Sequence, residues 1–360
     1  MKSRYRPTWA EINLDALWHN YEEAQKQVPN KIVIPVIKAN AYGHGSVEVM
    51  KHLYKKGIRV CAVSLLEEAL ELRSRFKDIN ILMLGPAMPK DLKVCSKNNI
   101  ELTIYDDEIY QAVLHSNSDL TCHLKVDAGM SRYGLTERNH IIDVVERLQS
   151  SPHINLKGIF THFATANDHE DIYFKQLEKM KEVLQSIKKL PEMIHVSNSS
   201  STFKYEQLIP FSTHVRLGIS LYGLSLDDPK PDLIPVMQLK SKVVQIKNLK
   251  PGECVGYGAS YCAKEYERIA ILPIGYADGF LRRNKNGYVE MNSKKFKIVG
   301  IICMDACFIK IDDSIKIGDT ATLFGGLISI DDVAKRSNTI NYEVITSISS
   351  RVPRIYISKD

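Results

Sequence analysis

The stretch Ile34-Pro-Val-Ile-Lys38-Ala-Asn-Ala-Tyr42-Gly-His-Gly45 decides how the rest of the chain is interpreted. Its apolar, β-branched beginning is typical of a buried parallel strand, and that strand ends on a lysine. Desolvating an ammonium group is unfavourable, and α/β folds place their chemistry at the carboxyl ends of core strands. Because burial lowers the pKa of a lysine, Lys38 is a candidate for a free amine that forms a Schiff base.

Eight strand-like runs occur between residues 32 and 217, with helical patterns between most of them. The runs are Ile32–Ile37, Arg59–Val63, Asn80–Leu84, Ile100–Tyr105, Leu120–Val126, Leu156–Thr161, Met193–Val196 and Thr213–Leu217. Strands that alternate with helices in this way predict an α/β fold, a (βα)8 barrel of the TIM type. A doubly wound sheet is the rival, but no Gly-x-Gly-x-x-Gly motif follows the first strand.

Two helices of this region carry explicit signals. Ser64-Leu-Leu-Glu67 predicts a capping box that opens a helix over Leu65–Phe76. A second helix is predicted over Tyr173–Lys189 from an apolar stripe with a period of about 3.6 residues. The stripe consists of Phe174, Leu177, Met180, Val183, Leu184 and Ile187.

The pattern changes after about residue 235 to short runs separated by turn dipeptides. These runs are Lys242–Ile246, Arg268–Leu272, Lys297–Ile302 and Ala321–Phe324. They predict a mainly-β second domain with one short helix near Ile330–Arg336. The strand Thr8–Leu14 is expected to join this second domain. We therefore predict a barrel over 9–233 and a mainly-β domain formed by 1–8 and 234–360.

The composition of the chain indicates which binding partners and which cellular compartment to expect. The 360 residues carry a net charge of +6, and basic and acidic residues mix along the predicted helices, which argues against nucleic acid binding. We find no apolar run of membrane-spanning length and no signal peptide, so we expect no membrane association. Seven cysteines without a paired spacing pattern favour a reducing cytoplasm over a disulfide scaffold. Cys303 and Cys307 lack a second Cys or His pair, so no zinc site is expected.

Polar side chains lie at the ends of five of the eight predicted strands or just after them. They belong to Lys38, Lys125-Val-Asp-Ala-Gly-Met-Ser-Arg132, Thr161-His162, His195-Val-Ser-Asn198-Ser199 and Arg216-Leu-Gly218-Ile219. In a barrel these ends converge on one mouth, which would be rich in cations and hydroxyls. Such a mouth favours an anionic ligand, and the backbone N–H groups at Gly218-Ile219 could bind a phosphate. Few carboxylates are present there, so we expect no metal.

These motifs resemble the alanine racemase family, a family of pyridoxal 5'-phosphate enzymes built from a barrel and a β domain. The resemblance spans essentially the whole chain. Ile37-Lys38-Ala-Asn-Ala-Tyr42-Gly-His-Gly45 matches the cofactor-lysine motif, and the segment 125–132 matches the substrate-arginine loop. The second domain adds Gly256-Tyr257-Gly258, Pro273-Ile-Gly-Tyr276-Ala-Asp-Gly279 and Cys303-Met304-Asp305.

The resemblance implies a cytoplasmic isomerase that interconverts L-alanine and D-alanine for D-alanine biosynthesis. Lys38 and Tyr257 would be its two bases, one on each face of the substrate, and a homodimer would form two composite sites. The implied cofactor-binding residues are Lys38, Tyr42, His162, Ser199, Arg216, Gly218 and Ile219. The implied substrate-binding residues are Arg132, Met304 and Asp305. Arg132 and His162 would also stabilise the phenolate of Tyr257, and Lys125 matches a lysine that is often carbamylated.

Two positions depart from the family pattern. Ile301 stands where the family commonly has arginine, and Ser350 stands where it commonly has a tyrosine that helps to bind the phosphate. A broader serine and alanine racemase is therefore one alternative. A barrel-type amino-acid decarboxylase is another, although it would need a carboxylate where this chain has Arg216. A non-catalytic pyridoxal-phosphate carrier typically lacks the second domain.

Overall fold

The computed structural model describes residues 5–228 and 230–359. The chain forms two compact units. One contains residues 17–41 and 46–234, and the other contains the residues before 17, the segment 42–45 and the residues from 235 onward. The domain boundaries predicted at 8/9 and 233/234 stay a prediction, and residues 1–4, 229 and 360 of those domains lie outside the described residues. The first strand, β1 (Thr8–Asn13), belongs to the second of these units.

The first unit is built around a closed barrel of eight parallel strands. They are β2 (Ile32–Pro35), β3 (Val60–Val63), β4 (Asn80–Pro86), β5 (Ile100–Ile104), β6 (Leu120–Lys125), β7 (Ile154–Phe160), β8 (Met193–His195) and β9 (His214–Leu217). Strands β3 to β8 pair in chain order, and β2 pairs with β9. A bridge between Val36 and Ala62 joins β2 to β3, and the Thr213 N–H donates to the Ile194 carbonyl at 2.9 Å. The predicted barrel is confirmed.

Helices follow most of the barrel strands. They span Leu14–Gln27, Ser46–Lys55, Leu66–Arg75, Leu92–Lys97, Asp107–Leu114, Arg138–Ser150, Glu170–Ser186 and Ser199–Lys204. Within the described part of the chain, none is long and apolar enough to cross a membrane.

Both detailed helix predictions need correction. The predicted helix Leu65–Phe76 spans Leu66–Arg75, and the predicted helix Tyr173–Lys189 spans Glu170–Ser186, three residues earlier at each end. The Glu68 carboxylate, rather than that of Glu67, accepts the N–H groups of Ser64 and Leu65, at 2.8 and 3.1 Å. In the helix Glu170–Ser186, Tyr173 is fully buried while Phe174 is 41% exposed. Sequence periodicity could not distinguish two adjacent aromatic residues at the start of that stripe.

The second unit contains a nine-stranded sheet in the order β11-β14-β17-β16-β15-β18-β10-β1-β19. Its remaining strands are β10 (Met237–Lys242), β11 (Gln245–Leu249), β14 (Glu267–Leu272), β15 (Tyr288–Met291), β16 (Lys294–Val299), β17 (Cys307–Ile311), β18 (Thr320–Phe324) and β19 (Arg354–Ile357). Strand β1 pairs antiparallel with β10 and parallel with β19, as predicted for the strand at Thr8–Leu14.

Three predictions for this unit need correction. The run Lys242–Ile246 is two strands, because the Val243 N–H bonds to Asp319 while the Val244 N–H bonds to Ile271 on another strand. Strand β16 starts three residues before the predicted Lys297. A second short helix, Asn341–Thr346, follows the predicted one at Ile330–Arg336.

A two-residue hairpin stands apart from the large sheet. Strands β12 (Cys254–Val255) and β13 (Tyr261–Cys262) pair antiparallel, which places Cys254 opposite Cys262 in a disulfide. The sequence did not reveal this pair, because a separation of eight residues signals a disulfide only once the hairpin is known.

Candidate active site

The turn after β2 fixes the backbone that carries Lys38. Ala39, Asn40 and Ala41 have φ values of 50°, 54° and 54°, and Tyr42 has 51°. Left-handed backbone costs an L-residue roughly 1–2 kcal/mol, so four in succession require support from the surrounding structure. Sites of chemistry commonly hold such strained backbone.

Two side-chain acceptors provide that support within the barrel unit. The Glu68 carboxylate accepts the Ala39 N–H at 2.6 Å, and the Asn40 side chain accepts the Ser46 N–H at 3.0 Å. The Ala41 N–H also donates to the carbonyl of Ile37 at 2.9 Å. Glu68 therefore links the Lys38 turn to the start of the helix Leu66–Arg75.

Lys38 is half-buried, and its surroundings disfavour the ammonium form. Burial lowers the pKa of Lys38, the cations Arg132 and Arg216 lower it further, and Glu68 opposes them. A depressed pKa increases the fraction of free amine at neutral pH. This group can act as a nucleophile towards an aldehyde or as a base.

The loop after β6 is organised around one carboxylate. Asp127 accepts the backbone N–H groups of Gly129 and Met130 at 2.8 Å and those of Ser131 and Arg132 at 3.1 Å. Burial would raise the pKa of Asp127, but these backbone donors outweigh it and hold the pKa below its usual value. The carboxylate thereby fixes the backbone from which the Arg132 side chain extends.

Lys125 and His162 are two further titratable groups at the barrel mouth. Burial and the cations Arg132 and Arg216 lower the pKa of Lys125 to about 8. Burial lowers the pKa of the half-buried His162 well below 6.5, and the same cations add to this effect. His162 is therefore neutral at pH 7, and Lys125 exists partly as a free amine. Lys125, Arg132 and His162 line one pocket at this mouth.

Arg216 is buried, and both terminal nitrogens of its guanidinium donate hydrogen bonds. Its guanidinium donates to Nδ1 of His195 at 2.9 Å, to the carbonyl of Thr161 at 2.7 Å and to that of Val196 at 3.1 Å. Burial, opposed by Glu206, lowers the pKa of Arg216 to about 9, so the group keeps its proton at neutral pH.

A chain of hydrogen bonds runs from Arg216 through the barrel interior. Nε2 of His195 lies 2.9 Å from Nδ1 of His123, and Nε2 of His123 lies 3.0 Å from the Glu101 carboxylate. A guanidinium can only donate, so Nδ1 of His195 accepts and its Nε2 carries the hydrogen. The same logic makes His123 accept at Nδ1 and donate to Glu101. Arg216 at one end of this series of hydrogen bonds and Glu101 at the other thus set the tautomers of both histidines.

Backbone donors and a serine hydroxyl meet where β8 and β9 end. The Ser199 hydroxyl oxygen accepts the N–H groups of Gly218 and Ser220 at 3.0 and 3.4 Å. The helix Ser199–Lys204 and the short 3₁₀ segment Ile219–Tyr222 begin side by side. The first turns of such segments offer N–H groups to an anion.

Six other predicted or noted positions lie in the second unit. Tyr42 is buried and packs against Tyr342 with 6.1 Å between ring centroids. Tyr257 and Met304 are 72% and 51% exposed, and Asp305 forms an ion pair with Arg351. Ile301 is half-buried and Ser350 is exposed. Among residues 5–228 and 230–359, no cluster of three or more His, Cys, Asp or Glu side chains is arranged to hold a metal ion.

Sequence reasoning missed Glu68, the role of Asp127 and the chain from His195 to Glu101. Asp127 stands two residues before a glycine in the quoted loop, a pattern that signals a side-chain-capped turn. Glu101 is a carboxylate within a largely apolar strand, and that position in the sequence signals a buried partner. Glu68 gave no clear signal, because its neighbour Glu67 fits the capping spacing equally well.

The chain matches known proteins along almost its whole length. The model described as "Alanine racemase, N-terminal domain" matches residues 12–226, and "Alanine racemase, C-terminal domain" matches residues 236–356. The chain is 38% identical to the alanine racemase of Geobacillus stearothermophilus, covering 99% of this chain and 95% of that protein. It is 37% identical to that of Staphylococcus epidermidis, covering 98% and 95%.

Solved structures show the same architecture. The alanine racemase of Bacillus anthracis with bound L-Ala-P superposes with a TM-score of 0.92 at 35% identity, covering 99% of this chain and 96% of that one. A histidine racemase from Leuconostoc mesenteroides also reaches a TM-score of 0.92, at 27% identity and 99% coverage of both chains. The fold is therefore shared by racemases that differ in substrate.

Proposed function

The chain belongs to the alanine racemase family, and we propose that it interconverts L-alanine and D-alanine with pyridoxal 5'-phosphate as its cofactor. The observation that carries this proposal is Lys38, an amine of lowered pKa at the end of the first barrel strand, held by a strained turn. The identity of about 38% to alanine racemases over nearly the full length supports alanine as the substrate.

The residues present fit this cofactor. An aldehyde requires an unprotonated amine, and the surroundings of Lys38 favour that form. A phosphate requires N–H and O–H donors, which Ser199 and the segment Gly218–Ile219 can supply, with the phenol of Tyr42 as a further candidate. When bound, the cofactor delocalises the electron pair left on the α-carbon after the proton departs.

We assign Arg216 the position that faces the pyridine nitrogen of the cofactor. Its guanidinium keeps its own proton and cannot accept another, so the ring nitrogen would stay largely unprotonated. A weaker electron sink disfavours side reactions such as transamination. The carbonyl groups and His195 that accept from Arg216 hold the guanidinium in one orientation.

Racemisation needs a proton donor and acceptor on each face of the α-carbon. We assign Lys38 to one face and Tyr257 to the other. Arg132 would bind the substrate carboxylate, because a guanidinium matches its two oxygens, and His162 and Arg132 would favour the phenolate of Tyr257. Met304 and Asp305 complete the proposed substrate-binding set.

We further propose a homodimer in which Tyr257 and Met304 serve the site of the other subunit. Both side chains are largely exposed on the single chain, 72% and 51%, which is unusual for large side chains with a chemical role. A C2 dimer would give two equivalent composite sites. The five cysteines that form no disulfide support the expected cytoplasmic location.

Lys125 is a candidate for carbamylation. Carbon dioxide reacts with a free amine, and the pKa of about 8 leaves a substantial free fraction at neutral pH. The modified group would be an anion in a cluster of cations that includes Arg132. We propose that it orients Arg132 towards the substrate carboxylate.

Broader action on serine is a second candidate, and Ser350 is the observation that favours it. The serine side chain is much smaller than the tyrosine common in the family, and it is exposed on the single chain. One small group changes substrate preference by only about 1–3 kcal/mol in a hydrophobic pocket. A serine activity would therefore accompany alanine racemisation.

The test is a racemisation assay of the purified holoenzyme. We expect D-alanine from L-alanine and the reverse, with serine slower and histidine slower still, together with an absorbance band of the bound cofactor. Release of carbon dioxide without racemisation would favour the decarboxylase alternative. A cofactor band without turnover of any amino acid would favour the carrier.

A further inference from the structure

Two cysteines enclose the loop that carries Tyr257. Cys254 and Cys262 face each other on β12 and β13 with 4.0 Å between their Cα atoms, and they form a disulfide. We call the residues between them, 255–261, the Tyr257 loop. The two cysteines flank this loop: Cys254 precedes Val255, and Cys262 follows Tyr261.

We propose that Cys254 and Cys262 form a reversible thiol–disulfide site that sets the activity of the enzyme by fixing the Tyr257 loop. The disulfide form holds the loop closed at its base and keeps Tyr257 in place. The dithiol form leaves the loop freer and lowers turnover. This inference rests on the proposed role of Tyr257 as one of the two bases.

The rest of the structure fixes the ends of the loop but not its middle. Val255 packs in a hydrophobic cluster with Ala263 and the neighbouring strands, and the Ala263 N–H donates to the Glu253 carbonyl at 2.9 Å. In contrast, residues 256–260 are all exposed. Gly256 and Gly258 have φ values of 75° and 66°, backbone that glycine leaves easily for other conformations. A pair of two-residue strands is weak, so the covalent bond keeps the two ends of this exposed middle together when the strand pair opens.

The surroundings of the two sulfurs suit both redox forms. Sγ of Cys254 lies 3.5 Å from the Gly252 carbonyl, and Sγ of Cys262 lies 3.6 Å from that of Ala259. Each carbonyl can accept the hydrogen of a thiol once the disulfide is reduced. Both cysteines are exposed, so a small thiol or disulfide can reach them.

The other five cysteines are poor competitors for oxidation. Cys61, Cys95, Cys122 and Cys307 are buried, and Cys303 is half-buried. Burial raises the pKa of all five thiols, to about 11 for Cys95 and about 12 for Cys61. Because the thiolate is the reacting form, these groups stay inert under conditions that oxidise an exposed pair.

The oxidant that we infer is a low-molecular-weight disulfide. One cysteine thiolate attacks it, which forms a mixed disulfide and releases one small thiol. The second cysteine then attacks the protein sulfur of the mixed disulfide, which closes the Cys254–Cys262 bond and releases the second small thiol. The protein gives up two electrons and two protons, and the small disulfide takes them up. A small dithiol reverses the sequence.

The first measurement is chemical and independent of turnover. The holoenzyme is equilibrated with oxidised or reduced glutathione, treated with iodoacetamide and digested with trypsin. Cleavage after Lys247 and Lys264 gives one peptide, 248–264, that contains both cysteines, because Pro251 protects the bond after Lys250. We expect this peptide to stay unlabelled after oxidation and to carry two labels after reduction. Two labels in both samples, or a cross-link between subunits on a non-reducing gel, would overturn the proposal.

The second measurement is kcat/KM for L-alanine in the same samples. We expect reduction to lower it at least about threefold, reversibly, as misplacement of a catalytic group does. The double variant Cys254→Ser/Cys262→Ser should match the reduced enzyme and ignore glutathione, whereas Cys95→Ser should keep the ratio between oxidised and reduced samples. Equal kcat/KM in both samples, with the bond formed, would overturn the regulatory role. Absence of racemisation in every sample would instead refute the proposed function and the role built on it, while labelling still decides whether the bond forms.

Discussion

The turn that follows Lys38 and the loop that carries Tyr257 both contain left-handed backbone, but they are held in different ways. In the turn, Ala39, Asn40 and Ala41 adopt φ near 50°, and the side chains of Glu68 and Asn40 accept backbone N–H groups there. In the loop, glycines adopt φ of 75° and 66°, and a disulfide joins its ends. The turn is held by several hydrogen bonds, whereas the loop is held by a covalent bond between the residues that flank it.

This difference separates two ways of placing a proton-transferring group. Strand β2 and Glu68 fix the position of the Lys38 backbone. Burial and nearby cations lower the pKa of its amine. Tyr257 is exposed on a single chain. In the proposed homodimer, the position of its loop would depend on the partner surface and on Cys254 and Cys262. Changes in the barrel should therefore abolish chemistry, and changes in the loop should impair proton transfer on one face of the α-carbon.

Removal of the amine in the fixed region has the largest expected effect. Lys38→Ala should lower racemisation at least about 1,000-fold and remove the absorbance of the bound cofactor, because one residue is both anchor and base. Lys188→Ala, on an exposed lysine, is the control and should change neither. Substantial activity of Lys38→Ala without an added amine would contradict the assignment.

Loosening the fixed region without touching its amine gives the next effect. Glu68→Ala removes the acceptor of the Ala39 N–H, so the strained turn should relax and misplace Lys38. We expect kcat/KM to fall about 10–100-fold with the cofactor still bound. Glu67→Ala, which changes the adjacent exposed glutamate, is the matched control. Equal kcat/KM values for the two variants would show that the turn keeps its conformation without Glu68.

The acid dependence of stability tests the second anchor of the barrel mouth. Asp127 has a pKa below its usual value in the folded state, so it stabilises the fold above the unfolded pKa of about 3.9 and loses that contribution as the pH falls. Asp127→Asn should lower the free energy of unfolding by about 1–3 kcal/mol at pH 7 and by less at pH 3. Urea titrations at both pH values measure this. A penalty that is unchanged at pH 3, or one equal to that of Asp119→Asn, would contradict it.

The smallest effect concerns substrate scope in the second unit. Ser350→Tyr restores the ring common in the family and should lower the serine-to-alanine ratio of kcat/KM by about tenfold at most. It should also tighten cofactor binding, measured by retention during dialysis. An unchanged or higher serine-to-alanine ratio in the variant would show that Ser350 does not influence substrate preference.

The fold was predictable from the sequence because strand and helix periodicity repeats eight times in the barrel. All eight strands are present, with ends shifted by a few residues at most. The positions of Lys38 and Arg216 were predictable, because one follows a strand and the other lies near the end of one, while their roles stay predictions. The partners that orient them were not, since Glu68, His123 and Glu101 come from distant segments and show no spacing rule. The disulfide was missed for the same reason.

Hydrogen exchange at the α-carbon tests the central claim of two bases most directly. Tyr257→Phe keeps the ring but removes the hydroxyl, and the variant is incubated in D2O with each enantiomer of alanine separately. Loss of the α-hydrogen to solvent, followed by NMR, should fall at least about 100-fold for one enantiomer and far less for the other, because Lys38 still serves its own face. Equal losses for both enantiomers would contradict the assignment of Tyr257 to one face.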